Sequence, residues 1–224
     1  MIRITARHFL AAGLLAVTAA LPAFAQEASS THPKLQKQLE RMDFGLNGMY
    51  LTTKSVSGIV EPNGASTAGD FMTQKAGNTA GLLANLRYSK RPYVGGEFNY
   101  TYARYTETFN VEPYQIQTGV NEVSFGYLAL PPHQILGLQP FFSAGAGSTR
   151  FRPTRGGGQS APTQWRATYY YNVGLQSQFP NSHFGFRFGF RQAFYKAPDF
   201  LLNYLTINQH TYSLEPNFGV YVKF

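Results

Sequence analysis

The sequence predicts an all-β fold: a closed antiparallel transmembrane β-barrel of eight strands that follows a cleaved export leader. Three observations predict it. Charged residues make up 13% of the chain and aromatic residues 16%, whereas soluble domains average about 25% charged. After the leader, no apolar run approaches the roughly 18 residues that a spanning helix needs. From Met42 onward, apolar and polar residues alternate with period two, the pattern of strands with one apolar face. A chain that meets an apolar medium without a spanning helix must close its sheet, because inside a bilayer every backbone polar group has to be paired.

The leader carries Arg3 and Arg7, then a Leu-, Ala- and Val-rich stretch over residues 9–21, and ends in Ala23-Phe24-Ala25. Ala23 and Ala25 put small residues at both positions a signal peptidase reads, and the apolar stretch is too short to anchor a chain. The expected organisation is a signal peptide over 1–25, a short polar periplasmic segment over 26–41 and one barrel domain over 42–224. Within the segment, residues 33–41 have the composition of a short polar helix that is expected to fray. The 19 basic and 11 acidic residues give a net charge of +8. Export and the absence of any run of five like charges argue against a nucleic-acid partner. There is no cysteine, hence no disulfide.

Eight segments carry the alternation. Residues 43–53 set Phe44, Leu46 and Tyr50 on one face. Residues 79–89 oppose Leu82, Ala84, Leu86 and Tyr88 to Gly81, Asn85 and Arg87. Residues 93–105 oppose Phe98, Tyr100 and Tyr102 to Glu97, Asn99 and Thr101. Residues 119–130 oppose Val123, Phe125 and Tyr127 to Glu122, Ser124 and Gly126. Phe142, Ala144 and Ala146 alternate with Ser143, Gly145 and Gly147 in 138–150, and Tyr169, Tyr171 and Val173 with Thr168, Tyr170 and Asn172 in 165–179. The clearest segment follows from Phe184, where Phe186, Phe188 and Phe190 alternate with Gly185, Arg187, Gly189 and Arg191. The last, 210–224, opposes Tyr212, Leu214, Phe218, Val220 and Val222 to Ser213, Glu215 and Asn217.

Connections after the second, fourth and sixth segments are short, and those after the first, third, fifth and seventh span about 11 to 25 residues. Tight turns on one rim and long loops on the other are the asymmetry of membrane barrels. A soluble barrel of lipocalin type needs an apolar cup and a charged exterior. Here the apolar face is a near-continuous band with few charges to solvate it.

The segment from Asn217 to Phe224 resembles the C-terminal signature of outer-membrane barrels: Asn217, Gly219 two residues later, then Val222 and a terminal Phe224. The chain from about Asp43 is similar to the eight-stranded outer-membrane β-barrel domains of the OmpA and OmpX type. That resemblance implies location in the cell outer membrane and recognition of the chain's end by the barrel-assembly machinery. Fold-level likeness leaves function open, since small barrels serve several roles.

Catalytic chemistry has little support. Some small barrels are lipid A hydrolases with a Ser-His pair, and His210, Ser213 and Glu215 supply the residue types. His210 and Ser213, three apart in a strand, face opposite sides. His133 and His183 fall in short turns and His32 in the leading segment. No cluster has metal-ligand spacing, no cofactor is expected, and Gly156-Gly157-Gly158 is a loop tip rather than a phosphate cradle. The expectation is a non-enzymatic, monomeric outer-membrane barrel acting through its outer loops. Its lumen is filled by polar and ion-paired side chains. A narrow passive pore and a lipid A-modifying enzyme stand as alternatives. An eight-stranded barrel leaves an interior that side chains can fill, and inward parity assigns Arg87, Glu97, Glu122, Arg187, Arg191 and Glu215 to it. If Ser89 lies opposite Tyr93, Asn85 faces Glu97 and Arg87 lies diagonal to it. Arg150, Arg152, Arg155 and Arg166 cluster in the third long connection without an acidic neighbour, a composition suited to lipopolysaccharide phosphates. The expected partners are outer-membrane lipid and lipopolysaccharide, together with the assembly machinery.

Overall fold

The computed structural model describes residues 33–61, 66–91 and 93–224. The expected leader and residues 26–32 of the expected polar segment lie outside them. Helix α1 (Pro33–Leu39) precedes ten strands: β1 (Met42–Thr53), β2 (Val56–Ile59), β3 (Phe71–Ala76), β4 (Thr79–Arg91), β5 (Val94–Phe109), β6 (Gln115–Ala129), β7 (Gln139–Pro153), β8 (Gln164–Gln178), β9 (Phe184–Lys196) and β10 (His210–Lys223). Eight of them, β1 and β4 to β10, pair antiparallel with their neighbours in chain order. β10 returns to β1 with Asp43 opposite Lys223 and Phe44 opposite Val222. The sheet therefore closes, and its strands of 12 to 16 residues exceed the length needed to cross hydrocarbon.

Period two decides which face is which. Phe98, Tyr100, Phe125, Tyr127, Tyr169, Phe188, Phe190, Phe218 and Val220 point out, and several are more than half exposed; Tyr127 is 82% exposed. An apolar band of that extent has no place against water. No helix among the described residues is long and apolar enough to cross a membrane.

The two rims differ from the sequence reading in instructive ways. At the turn rim, α1 is formed where fraying was expected. Tyr88 donates its hydroxyl to Gln38 Oε1 at 2.6 Å, and Ser89 N–H donates to the Arg41 carbonyl, so the segment is tied to β4. At the loop rim, the first long connection is not irregular. It folds as the hairpin β2–β3, whose second strand continues onto the projecting end of β5, with Gln74 opposite Phe109 and Ala76 opposite Glu107. The second long connection shrinks to residues 110–114, because β5 and β6 run on beyond the band and bury Tyr105, Phe109 and Ile116. The last one, residues 197–209, folds inward around Phe200 and a short 3-10 turn (Asn203–Leu205).

Candidate functional site in the barrel lumen

Three zones stack along the lumen. At the turn end, a cavity of about 660 Å³ opens between Glu40 and Arg41, the turns and the strand ends, with Asp43, Gln139, Gln176 and Tyr221 in its wall. Above it lies the charged zone. Arg87 donates through Nε to Glu97 Oε2 at 2.5 Å, and Glu97 also accepts from Asn99, Ser143 and the Tyr170 hydroxyl. Arg187 reaches Gln176, Asn85 at 2.7 Å and Asp43 at 2.9 Å. One level higher, Arg191 on β9 donates to Glu215 on β10 at 2.5 Å and to Glu122 on β6 across the lumen. Ser213 and Thr149 donate to the same two glutamates.

All six residues assigned to the lumen by parity are buried there, and the structure joins them into two clusters rather than one. Each arginine also lies over a ring: Arg87 over Phe141 at 4.3 Å, Arg187 over Tyr221 at 4.6 Å and Arg191 over Tyr170 at 4.6 Å. A guanidinium presents five donors in one plane and stacks on its face, so it suits a narrow lumen better than an ammonium does. Two details depart from the sequence reading. Arg87 sits directly opposite Glu97 and Asn85 opposite Asn99, because an irregularity between Tyr88 and Arg91 shifts the β4–β5 register. Asp43, at inward parity on β1, was missed, and it is the partner of Arg187.

The third zone corrects the expectation of a polar interior throughout. Toward the loop end the inward side chains turn apolar: Met49, Leu51, Leu83, Ala103, Val120 and Phe151. The loops deliver Val60, Met72, Phe200, Leu205 and Ile207 onto them, with Met72, Phe200 and Leu205 fully buried. Asp199 fastens this cap. Its carboxylate accepts from Gln164, Thr206 and the Leu201 N–H and forms an ion pair with Arg166, while Gln164 Oε1 accepts the Asp199 and Phe200 N–H groups. The inward run Met49, Leu51, Leu83 and Val120 is the sequence signal that could have revealed the cap.

Other candidates fall elsewhere. Ser213 faces the lumen and donates to Glu215, whereas His210 lies exposed at the rim. Arg166 has inward parity and pairs with Asp199 at 3.0 Å, so it leaves the surface cluster expected of it. Arg150 stacks on Trp165, with its guanidinium carbon 5.6 Å from the ring centroid; Arg152 and Arg155 are exposed. At the C-terminus, Asn217 is buried in the lumen. A Cβ at Gly219 would enter the backbone of β1, and Phe224 N–H donates to the Met42 carbonyl. The signal cleavage residues Ala23 and Ala25 lie outside the described residues.

Among the described residues, the cap contains one buried carboxylate without a basic partner in an ion pair. Glu107, 2% exposed, extends beyond Arg104, the outward-facing residue at which β5 leaves the apolar band. It accepts from Gln74 Nε2 at 3.3 Å, and Lys54 and Tyr195 share the wall of its small void. Burial holds its carboxyl up at about 7 against an ordinary 4.5, offset only in part by the Gln74 bond. The folded value is the higher one, so the contribution of Glu107 to the cap's stability is full below about pH 4.5 and is lost as pH rises through about 7. Protease cleavage within 197–209 should therefore be slower at pH 5 than at pH 8. Glu107→Gln should flatten that difference, and a flat wild-type profile would contradict the assignment.

No family model matches the chain, and no curated protein does either. Solved structures do. Neisserial surface protein A superposes with a TM-score of 0.52 and 16% identity, covering 81% of this chain and 97% of the other. The outer membrane protein OprG from Pseudomonas aeruginosa gives 0.58 and 13%, covering 82% and 95%. The fold is that of the small outer-membrane barrels. At such identity the likeness extends to the path of the chain and leaves the chemistry of the lumen to this chain's own residues.

Proposed function

We propose that the chain resides in the outer membrane as a sealed, non-enzymatic barrel that presents a folded, proteinaceous cap at the cell surface, with a structural or surface-interaction role. The observation that carries this reading is the stacking of two obstructions in one lumen, the Arg191 cluster and the apolar cap above it. A permeation path needs a continuous polar lining wider than water. Here Phe151, Phe200 and Leu205, all fully buried, close the loop end, and Arg191 bridges strands on opposite walls. What remains available to a partner is the exposed outer surface of β2, β3 and the loop tips, where loops on a rigid scaffold commonly carry function. Proteoliposomes containing the wild-type protein should not swell in isosmotic arabinose. Swelling at a rate proportional to protein content would replace the surface reading by that of a passive pore.

The C-terminal residues serve assembly in this reading. Deleting Phe224 should leave export intact and lower the fraction that migrates as a folded, heat-modifiable band in unboiled gels. An unchanged folded fraction would remove the assembly role from this end.

A further inference from the structure

We propose that the outer wall of the barrel carries a binding site for a phosphorylated lipid of the outer leaflet, centred on a notch between Arg104 and Arg152. The inference rests on the outer-membrane placement proposed above. Arg104 on β5 lies directly opposite Gly119 on β6, and Gly119 lies directly opposite Arg152 on β7. The row reads arginine, glycine, arginine across three strands, all at outward parity. Neighbouring strands are about 4.8 Å apart, so the two arginines start about 10 Å apart with no side chain between them. Arg155, from the loop after β7, closes the upper side of the resulting recess, which measures about 280 Å³ and has Tyr102 on its lower side.

Charge and height together select the ligand. Arg104, Arg152 and Arg155 are exposed, and among the described residues none of them pairs with a carboxylate. Arg104 is held by a bond to Gln117 Oε1 at 2.7 Å, which orients its guanidinium toward the notch side of β6. One row down come Tyr102, Asn121, Arg150 and Trp165, and below them Tyr100, Phe98 and Phe125. Aromatic side chains with a polar edge mark the boundary between hydrocarbon and headgroups. The arginine row therefore stands at headgroup height, where a lipid phosphate would meet two or three guanidinium forks while its acyl chains lie on the aromatic band. Arginine donates to phosphate bidentately, and a glycine floor leaves room for the phosphate oxygens. Arg166, grouped with these residues by sequence, takes no part, and Arg104, on another strand, replaces it.

The test uses the full-length mature protein folded into phosphatidylcholine vesicles doped with bis-phosphorylated lipid A. The readout is lipid A retained on the protein after detergent extraction, measured by native mass spectrometry. Replacing Arg104, Arg152 and Arg155 together by Gln should lower retention by about tenfold or more, given the strength of hydrogen bonds to charged groups. Gly119→Leu, which keeps every charge and whose Cβ has only the Arg152 carbonyl at 3.8 Å nearby, should lower retention as well by filling the notch. Both variants should keep the heat-modifiable band. Lipid A stripped of its phosphates should be retained no better by wild type than by the triple variant. Equal retention of bis-phosphorylated lipid A by wild type and triple variant in folded barrels would overturn the site while leaving the membrane reading intact. Displacement of lipid A by millimolar inorganic phosphate would overturn it too, by making the site one for free anion. Failure of the wild type to enter the vesicles would overturn both readings.

Discussion

Arg191→Ala is expected to destabilise the barrel by about 3 kcal/mol or more, the usual cost of leaving a buried charge without its partner. Arg191 is fully buried and is the only guanidinium shared by Glu122 and Glu215 among the described ion pairs. Its removal leaves two carboxylates facing one another in a lumen whose loop end is apolar. Lysine should rescue poorly, because a single ammonium lacks the fork that reaches β6 and β10 at once. The check is the temperature at which the folded band is lost in unboiled gels. It should fall in Arg191→Ala and recover in the triple variant that also carries Glu122→Gln and Glu215→Gln. Recovery would locate the damage in the orphaned charges; no recovery would locate it in lost packing over Tyr170.

A comparable loss is expected from Gly145→Val, through sterics rather than charge. Gly145 faces inward on β7, and a Cβ there would fall well inside contact distance of the Phe125 carbonyl oxygen and 2.5 Å from Gly126 Cα. Gly126 and Gly147 on the same seam are equally confined. The three glycines let β6 and β7 coil tightly as the small barrel closes, a known use of glycine at bends in barrel strands. The obstruction is backbone and cannot move aside like a flexible side chain, so the cost should reach about 3 kcal/mol, the upper end of ordinary overpacking. Gly48→Val is the control. That residue faces outward, its nearest neighbour to a Cβ is the Phe218 carbonyl at 3.9 Å, and the substitution should be tolerated. Refolding yields in detergent for the two variants would separate these outcomes, and equal yields would contradict the steric account.

Much of the fold was legible in the sequence because its determinants are local. Each barrel strand repeats its own parity, as in Phe184 to Arg191, and a one-residue error would place the whole aromatic set in the lumen. The same parity delivered the six lumen charges by strand and face. Pairing was harder to read. The β4–β5 irregularity that brings Arg87 level with Glu97 lies at the turn, where the alternation is interrupted, and Asp43 sits at the strand entrance before the pattern is established. The cap was missed because its parts are short and distant in sequence. Val60, Met72 and Phe200 become a core only when a closed barrel brings the inward Met49, Leu83 and Phe151 beneath them.

Single-molecule conductance tests the proposed sealing of the lumen most directly. Wild-type barrels inserted in planar bilayers should give no steady current, with rare and brief openings at most. Arg191→Ala, which removes the bridge between β9, β6 and β10, should open more often. Long-lived channels of uniform conductance from the wild-type protein would contradict the sealed lumen.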